Sequence, residues 1–307
     1  MAVTTAPAQT AAEIARGLRR RRIDLGSRTF EVVLLASLLF ALLVLVTLMF
    51  DVVRDGAVVF VERGVTFLTA KLSSLPRTAG VSQGIQGSLL LSLIVAILAF
   101  PLGIGAAVYL EEYARDTRLT RFIQVNIRNL AGVPSIVYGL LGLAIFVNLL
   151  FQRKQALLAG GLTLAVLVLP IVIITASEAL RAVPSSIREA AYGVGATRWE
   201  VIRHHVLPYA APGILTGTVL SLARAAGETA PLILVGAATG FFANPGGFLS
   251  KLTAKYAALP VTIYKWSTNP NADFRELTAA AIIVLLVVIL LVNAVAILLR
   301  NRYERKW

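Results

Sequence analysis

The sequence predicts an all-α integral membrane protein with six transmembrane helices, and three observations carry that expectation. Hydrophobic residues fill 57% of the 307 positions, and the mean hydropathy is +0.79. Apolar runs close to the ~20 residues that cross roughly 30 Å of hydrocarbon recur along most of the chain, more than one soluble core would bury. The cations are spread unevenly over the connecting segments, as membrane topology requires.

The runs lie near 32–50, 88–110, 130–151, 157–176, 214–242 and 277–299. The first follows Arg19, Arg20, Arg21 and Arg22, as in a secretory signal. It is longer than a signal's apolar core and lacks a small-residue cleavage site behind it, so it reads as a retained helix. Residues 1–29 read as a cytoplasmic tail, 30–300 as the transmembrane domain and 301–307 as a second cytoplasmic tail. With both termini inside, eighteen of the 29 Lys and Arg residues lie in cytoplasmic segments, ten lie outside and Arg224 lies within a span. The formal charge of +13 is then mostly topology, with some attraction to membrane lipid headgroups, and implies no nucleic acid. The chain has no cysteine, which excludes disulfides and thiolate metal sites. Its two histidines, His204 and His205, are adjacent and point apart on a helix, so no metal site is expected.

Two outer connections are long. Residues 51–86 mix charge with Val58, Val59, Phe60, Phe67 and Leu68, a composition suited to lying on the membrane face or meeting an external partner. Residues 243–276 carry Pro245, Gly246, Gly247, Pro260 and Pro270, the punctuation of an irregular loop. The cytoplasmic segment 183–212 holds clearer signals. Ser186 with Glu189, and Thr197 with Glu200, have the spacing of two capping boxes. Gly193 and Gly195 suit the left-handed end of a helix, and Pro208 limits the next one. Two short helices joined at a glycine turn and projecting from the membrane are expected. An amphipathic loop with no partner has the same pattern.

Glu189, Ala190 and Ala191, followed by Gly195 and then by Leu207 and Pro208, resemble the EAA loop of ABC-importer permeases. The family pattern is EAA, three residues, Gly, nine residues and I-x-LP; His205 replaces the isoleucine here. The resemblance implies a type I ABC importer (MetI-like) fold, with this segment as the coupling helix seated in a groove of a separate ATPase. Two adjacent alanines leave a shallow face for such a groove, and Glu189 can serve both as a cap and as a contact. The chain contains no G-x-x-x-x-G-K-[ST] loop, so ATP and Mg are expected on a partner ATPase dimer and this chain is not itself an enzyme.

The fifth run carries charge. Arg224 lies about ten residues into it, roughly 15 Å deep, with Glu228 one turn further on. Intramembrane charges are costly unless paired or facing a wet cavity, which makes both residues candidates for a substrate pathway or gate; a purely structural ion pair is the alternative. Gly217, Ser221, Arg224 and Glu228 fall on one helical stripe, and Gly213 with Gly217 has the G-x-x-x-G spacing of close helix contact. Residues 224–231, RAAGETAP, are similar to the R-A-x-G-E-T-A-P motif of the A-type phosphate permeases. Residues 132–139, GVPSIVYG, and 259–264, LPVTIY, resemble further stretches of that group.

The resemblance implies inorganic phosphate as cargo, a C-type permease as heterodimer partner, an external phosphate-binding protein, and a multi-pass location in a bacterial plasma (inner) membrane. Arg224 offers a charge-assisted fork to phosphate oxygens. Glu228 can balance that charge in the empty site and accept a hydrogen bond from protonated phosphate, which fully deprotonated sulfate cannot offer. Ser135 and Thr229 are further pathway candidates; Ser135 serves equally as a cap behind Pro134. Pro101 and Pro170 suit kinks. Other readings are a permease for another oxyanion, a gradient-driven carrier or channel, which would show uptake without ATP, and a non-transporting membrane sensor or scaffold that binds an ATPase.

Overall fold

The computed structural model describes residues 25–237, 250 and 252–303; residues 1–24, 238–249, 251 and 304–307, among them the end of the run 214–242 and the start of the loop 243–276, lie outside the described residues. The chain divides into two units, Met1–Asp51 and Val52–Trp307. What is described of the first is one helix, the start of α1 (Leu25–Arg63), whose apolar window has a mean hydropathy of 3.0. Every other element belongs to the second unit, and among the described residues none is a strand.

Among the described residues, five helices are long and apolar enough to cross a membrane: Arg28–Arg63 within α1, α3 (Ser82–Tyr113), α6 (Leu157–Arg181), α8 (Arg198–Gly227) and Phe274–Leu298 within α11 (Phe274–Tyr303). The sixth expected span is a bent pair, α4 (Arg118–Ala131) and α5 (Ser135–Leu150), meeting at 104°. The run at 130–151 therefore begins one step later than expected. Pro134 has no N–H to donate and disfavours helix at Val133, so α4 ends and α5 starts afresh. The carbonyl of Leu130, freed at the end of α4, accepts from the Val133 amide at 3.0 Å and the Tyr138 hydroxyl at 2.8 Å. The bend is thus closed by its own hydrogen bonds.

The central core lies among α3, α5, α6 and α8, with Leu91, Val95, Leu157, Leu164, Val168 and Leu222 buried together. Pro101 and Pro170 lie inside α3 and α6, which continue past them. The Gly213 and Gly217 pair does what its spacing predicts, against α6. A Cβ at Gly213 would lie 2.8 Å from the Ala179 Cβ, and one at Gly217 would collide with the Thr175 side chain. Ser221, fully buried, turns its hydroxyl back to the Gly217 carbonyl at 2.8 Å. This half of the predicted stripe is consumed by packing.

The outer segment 51–86 does not simply lie flat. Its first part extends α1 to Arg63, and then α2 (Val65–Thr69) folds onto α10 (Leu259–Ser267) and α11. Phe60 and Phe67 meet edge to face at 5.8 Å, Phe67 lies 6.4 Å from Trp266, and Trp266 lies 5.8 Å from Phe274. Residues taken from their chemistry as membrane-facing or partner-facing, Val59 and Phe67 above all, are the core of a satellite cluster. The part of 243–276 that is described is also more regular than a loop, since α10 occupies 259–267.

Candidate functional site

The fifth span is broken. The run 214–242 predicts one helix through Arg224 and Glu228, but α8 ends at Gly227 and Glu228 caps it with an extended backbone, φ −72° and ψ 124°. A new short helix, α9 (Ala230–Leu234), follows with Pro231 in its first turn. Gly227 disfavours helix continuation, and Pro231, which donates no amide, suits a helix start. Arg224 therefore sits in the last turn of α8, and the Arg224–Glu228 pair spans the break, Nε to Oε1 at 3.3 Å. Arg224 is 48% exposed and Glu228 18%.

The two broken helices meet. Gly139 in α5 lies against Pro231 in α9 so closely that a Cβ on Gly139 would fall 2.7 Å from the Pro231 Cα. The helix that starts after the break at 132–134 thereby packs, about one turn in, on the helix that starts after the break at 228–229. Backbone at such breaks is left to hydrogen-bond with something other than its own helix, and in a membrane it is tolerated only against protein or a water-filled path. Ser135 opens α5 half-buried with no capping bond, since Pro134 occupies the cap position. Thr229 precedes α9, also half-buried and without a capping bond. Arg224, Glu228 and Thr229 flank the break after α8, Ser135 opens α5 four residues before Gly139, and Tyr138, which sequence reasoning passed over as part of a motif, is buried next to Gly139. Its position four residues beyond Pro134, in reach of the freed carbonyls of α4, was the available signal. Beside the junction a small cavity is lined by Ser88, Ser92, Ala225, Ala226, Leu232 and Pro260 among others.

Because Gly139 lets α5 and α9 pack closely, Gly139→Val is expected to separate them. Overpacking of this kind costs about 1 to 3 kcal/mol. Uptake should fall while the protein still inserts, which transport assays normalised to membrane abundance will measure.

The segment 183–212 is built differently from its pattern in three respects. The first capping box does not form: α7 (Ser185–Gly193) starts two residues early behind Pro184, with no side-chain cap, and Glu189 is exposed. The second forms as predicted. The Thr197 hydroxyl accepts from the Glu200 amide at 3.4 Å, and Glu200 accepts from the Thr197 amide at 2.8 Å. Gly193 stays helical, and Gly195 alone takes the left-handed conformation, φ +86°. Pro208 does not end a helix. The turn Ile202–Val206 widens to π geometry, so that the Leu207 amide reaches back to the Ile202 carbonyl, and α8 runs on from Arg198 into the membrane. Such a turn relieves the clash between a proline ring and the carbonyl four residues before it.

The expected pair of short projecting helices is thus one short helix and the N-terminal end of the fifth span. Ala191 does not face outward with Ala190; it is 5% exposed, in a cluster with Leu180, Val183, Val201 and Val206. Leu207 packs against that cluster, while Pro208 is exposed. The outward surface around the turn consists of Glu189, Ala190, Tyr192, Val194 and Trp199, the last three 46%, 86% and 53% exposed.

Residues 14–306 match the model of the family described as binding-protein-dependent transport system inner membrane component. This chain belongs to that family. The permease is 37% identical over 275 residues to the phosphate transport system permease protein PstA of Yersinia pestis, covering 88% of each chain. It is likewise 37% identical over 270 residues to phosphate transport system permease protein PstA 1 of Mycobacterium tuberculosis, covering 86% of this chain and 84% of that one. Among solved structures, it shares the fold of a bacterial alginate ABC transporter chain, with a TM-score of 0.65 at 18% identity over 94% of this chain and 99% of that one. The MetNI methionine ABC transporter gives 0.59 at 17% identity over 73% and 96%. The permease is therefore an all-α, multi-pass inner-membrane subunit with the fold of ABC-importer permeases.

Proposed function

We propose that this permease is the A-type half of an inorganic phosphate importer, paired with a C-type permease and served by an external phosphate-binding protein. Both termini face the cytoplasm. A separate ATPase dimer, which holds ATP and Mg, docks on the surface around Gly195. The observation that carries the reading is the junction of the two broken helices with Arg224 and Glu228 across one of the breaks.

Chemically, the Arg224 guanidinium supplies directed N–H donors to phosphate oxygens, and such charge-assisted bonds are the strong ones. In the empty pathway Glu228 neutralises Arg224. When phosphate arrives, Glu228 becomes an acceptor for the hydroxyl that phosphate retains near neutral pH. Ser135 and Thr229 border the same junction with hydroxyls, and Tyr138 adds a phenol at its inner wall. The 37% identity to permeases named for phosphate transport supports that cargo over another oxyanion. The coupling segment, with Glu189, Ala190, Ala191, Gly195, Leu207 and Pro208 in the family spacing, supports an ATP-driven importer over a gradient-driven carrier.

The test is purification of the assembly from native membranes, followed by ATPase assays with the binding protein. A bound ATPase stimulated by phosphate-loaded binding protein, and not by sulfate, is the expected result. An assembly without an ATPase would sink the reading.

A further inference from the structure

The cytoplasmic end of α3 is a π-helical turn, Tyr109–Tyr113, of sequence YLEEY. Three of its side chains each engage a cation from the elements that lead into and out of the docking surface. Glu111 accepts two hydrogen bonds from Arg181 at the end of α6, both at 2.7 Å. Glu112 accepts from Arg188 of α7, at 2.7 Å from one terminal nitrogen and 3.3 Å from Nε. The Tyr113 ring lies 4.9 Å from the Arg198 guanidinium carbon at the start of α8.

The Glu112–Arg188 contact differs from an ordinary surface pair. Glu112 is 7% exposed, whereas in the nearby Asp116–Arg121 pair both side chains are about two-thirds or more exposed. Arg188 also donates to the Val183 carbonyl at 2.8 Å and the Leu180 carbonyl at 3.0 Å, just beyond and within the last turn of α6. One guanidinium therefore ties α3, α6 and α7 together. The covalent chain links α7 to α6 and α8 only. Ala107 of α3 touches the same cluster, but apolar contacts are non-directional and can slide. A forked, buried ion pair is fixed in direction.

We propose that Glu112 and Arg188 are positioning residues for energy coupling: through them, movement of the docking surface reaches α3, the second span, as well as the fifth. This rests on a separate ATPase driving the permease, not on which cargo it carries. The assembled importer, with its ATPase and binding protein, is reconstituted in vesicles, and ATP hydrolysis and phosphate uptake are measured together. Glu112→Gln and Arg188→Gln should raise ATP consumed per phosphate moved roughly five- to tenfold, within the range of interaction energies that couple sites. ATP hydrolysis itself should persist, and its stimulation by the binding protein should disappear.

Since the chain has no cysteine, Glu112→Cys with Arg188→Cys can be bridged by a short thiol cross-linker. Coupling should be lost with the thiols free and regained when bridged, a reading available even where the Gln variants assemble poorly. A merely structural role predicts that both rates fall in parallel at an unchanged ratio, and that result would overturn the proposal; so would a bridged pair that stays uncoupled. If the unaltered importer hydrolyses ATP but moves no phosphate, the cargo assignment fails. The joint is then judged on binding-protein stimulation of ATP hydrolysis alone, and stimulation surviving in the variants would refute it.

Discussion

Arg224→Gln should lower phosphate uptake by about a hundredfold, the scale on which losing one donor to a reacting oxyanion acts in enzymes, with membrane abundance close to normal. The two halves of that expectation come from the same geometry. In the single chain Arg224 reaches Glu228, its neighbour one turn along, at 3.3 Å, so the contact joins no two distant elements of the fold. Losing it therefore leaves the packing of the helices in place. A structural pair therefore predicts almost no phenotype, and a pathway residue predicts a large one. Glu228→Gln should act differently. It keeps an acceptor but loses the charge that balances Arg224, so the pathway becomes more cationic. Uptake is expected to fall less than in Arg224→Gln, and discrimination between phosphate and sulfate to weaken. Near-normal uptake by both variants at matched abundance would remove the pair from the mechanism.

Trp199→Ala combined with Tyr192→Ala should release the ATPase. These rings are 53% and 46% exposed among the described residues, beside a glycine turn whose Cβ space is open. Exposed aromatic side chains are among the residues that dominate protein interfaces. Truncating a dominant interface residue costs about 2 kcal/mol or more, roughly thirtyfold in affinity. The supporting structure should survive, because Val201, Ile202 and Val206, which anchor the segment, are fully buried and untouched. Co-purification of the ATPase with the variant, measured against the unaltered chain, checks this. Full retention of the ATPase would place the dock elsewhere.

Much of this was legible in the sequence, and the failures have physical causes. The apolar runs located the membrane helices because hydropathy reports the solvent. Thr197 with Glu200 gave a correct cap, since both side chains are free to turn inward at the start of α8. Ser186 with Glu189 had the same spacing, but Pro184 fixes the helix start two residues earlier and moves both out of position. Pro208 looked like a stop; the π turn before it absorbs the proline, and hydrophobicity cannot show such a turn.

The break at Glu228 was hidden by the opposite effect. The residues after it, Leu232, Ile233, Leu234 and Val235, are as apolar as those before, so a hydropathy window sees one span. The cue was Gly227 followed four residues later by Pro231. α4 escaped because Arg118, Arg121 and Arg128 give it the composition of a loop. What no single-chain pattern contains is the meeting of α5 and α9 at Gly139 and Pro231, which is a fact of tertiary packing.

Labelled phosphate uptake by the purified assembly in sealed vesicles tests the central claim most directly, with ATP supplied on the cytoplasmic side and loaded binding protein on the other. Uptake that requires both ATP and the binding protein, and that excess sulfate leaves unchanged, is the predicted result. Uptake that proceeds without ATP, or that sulfate abolishes, would contradict the account.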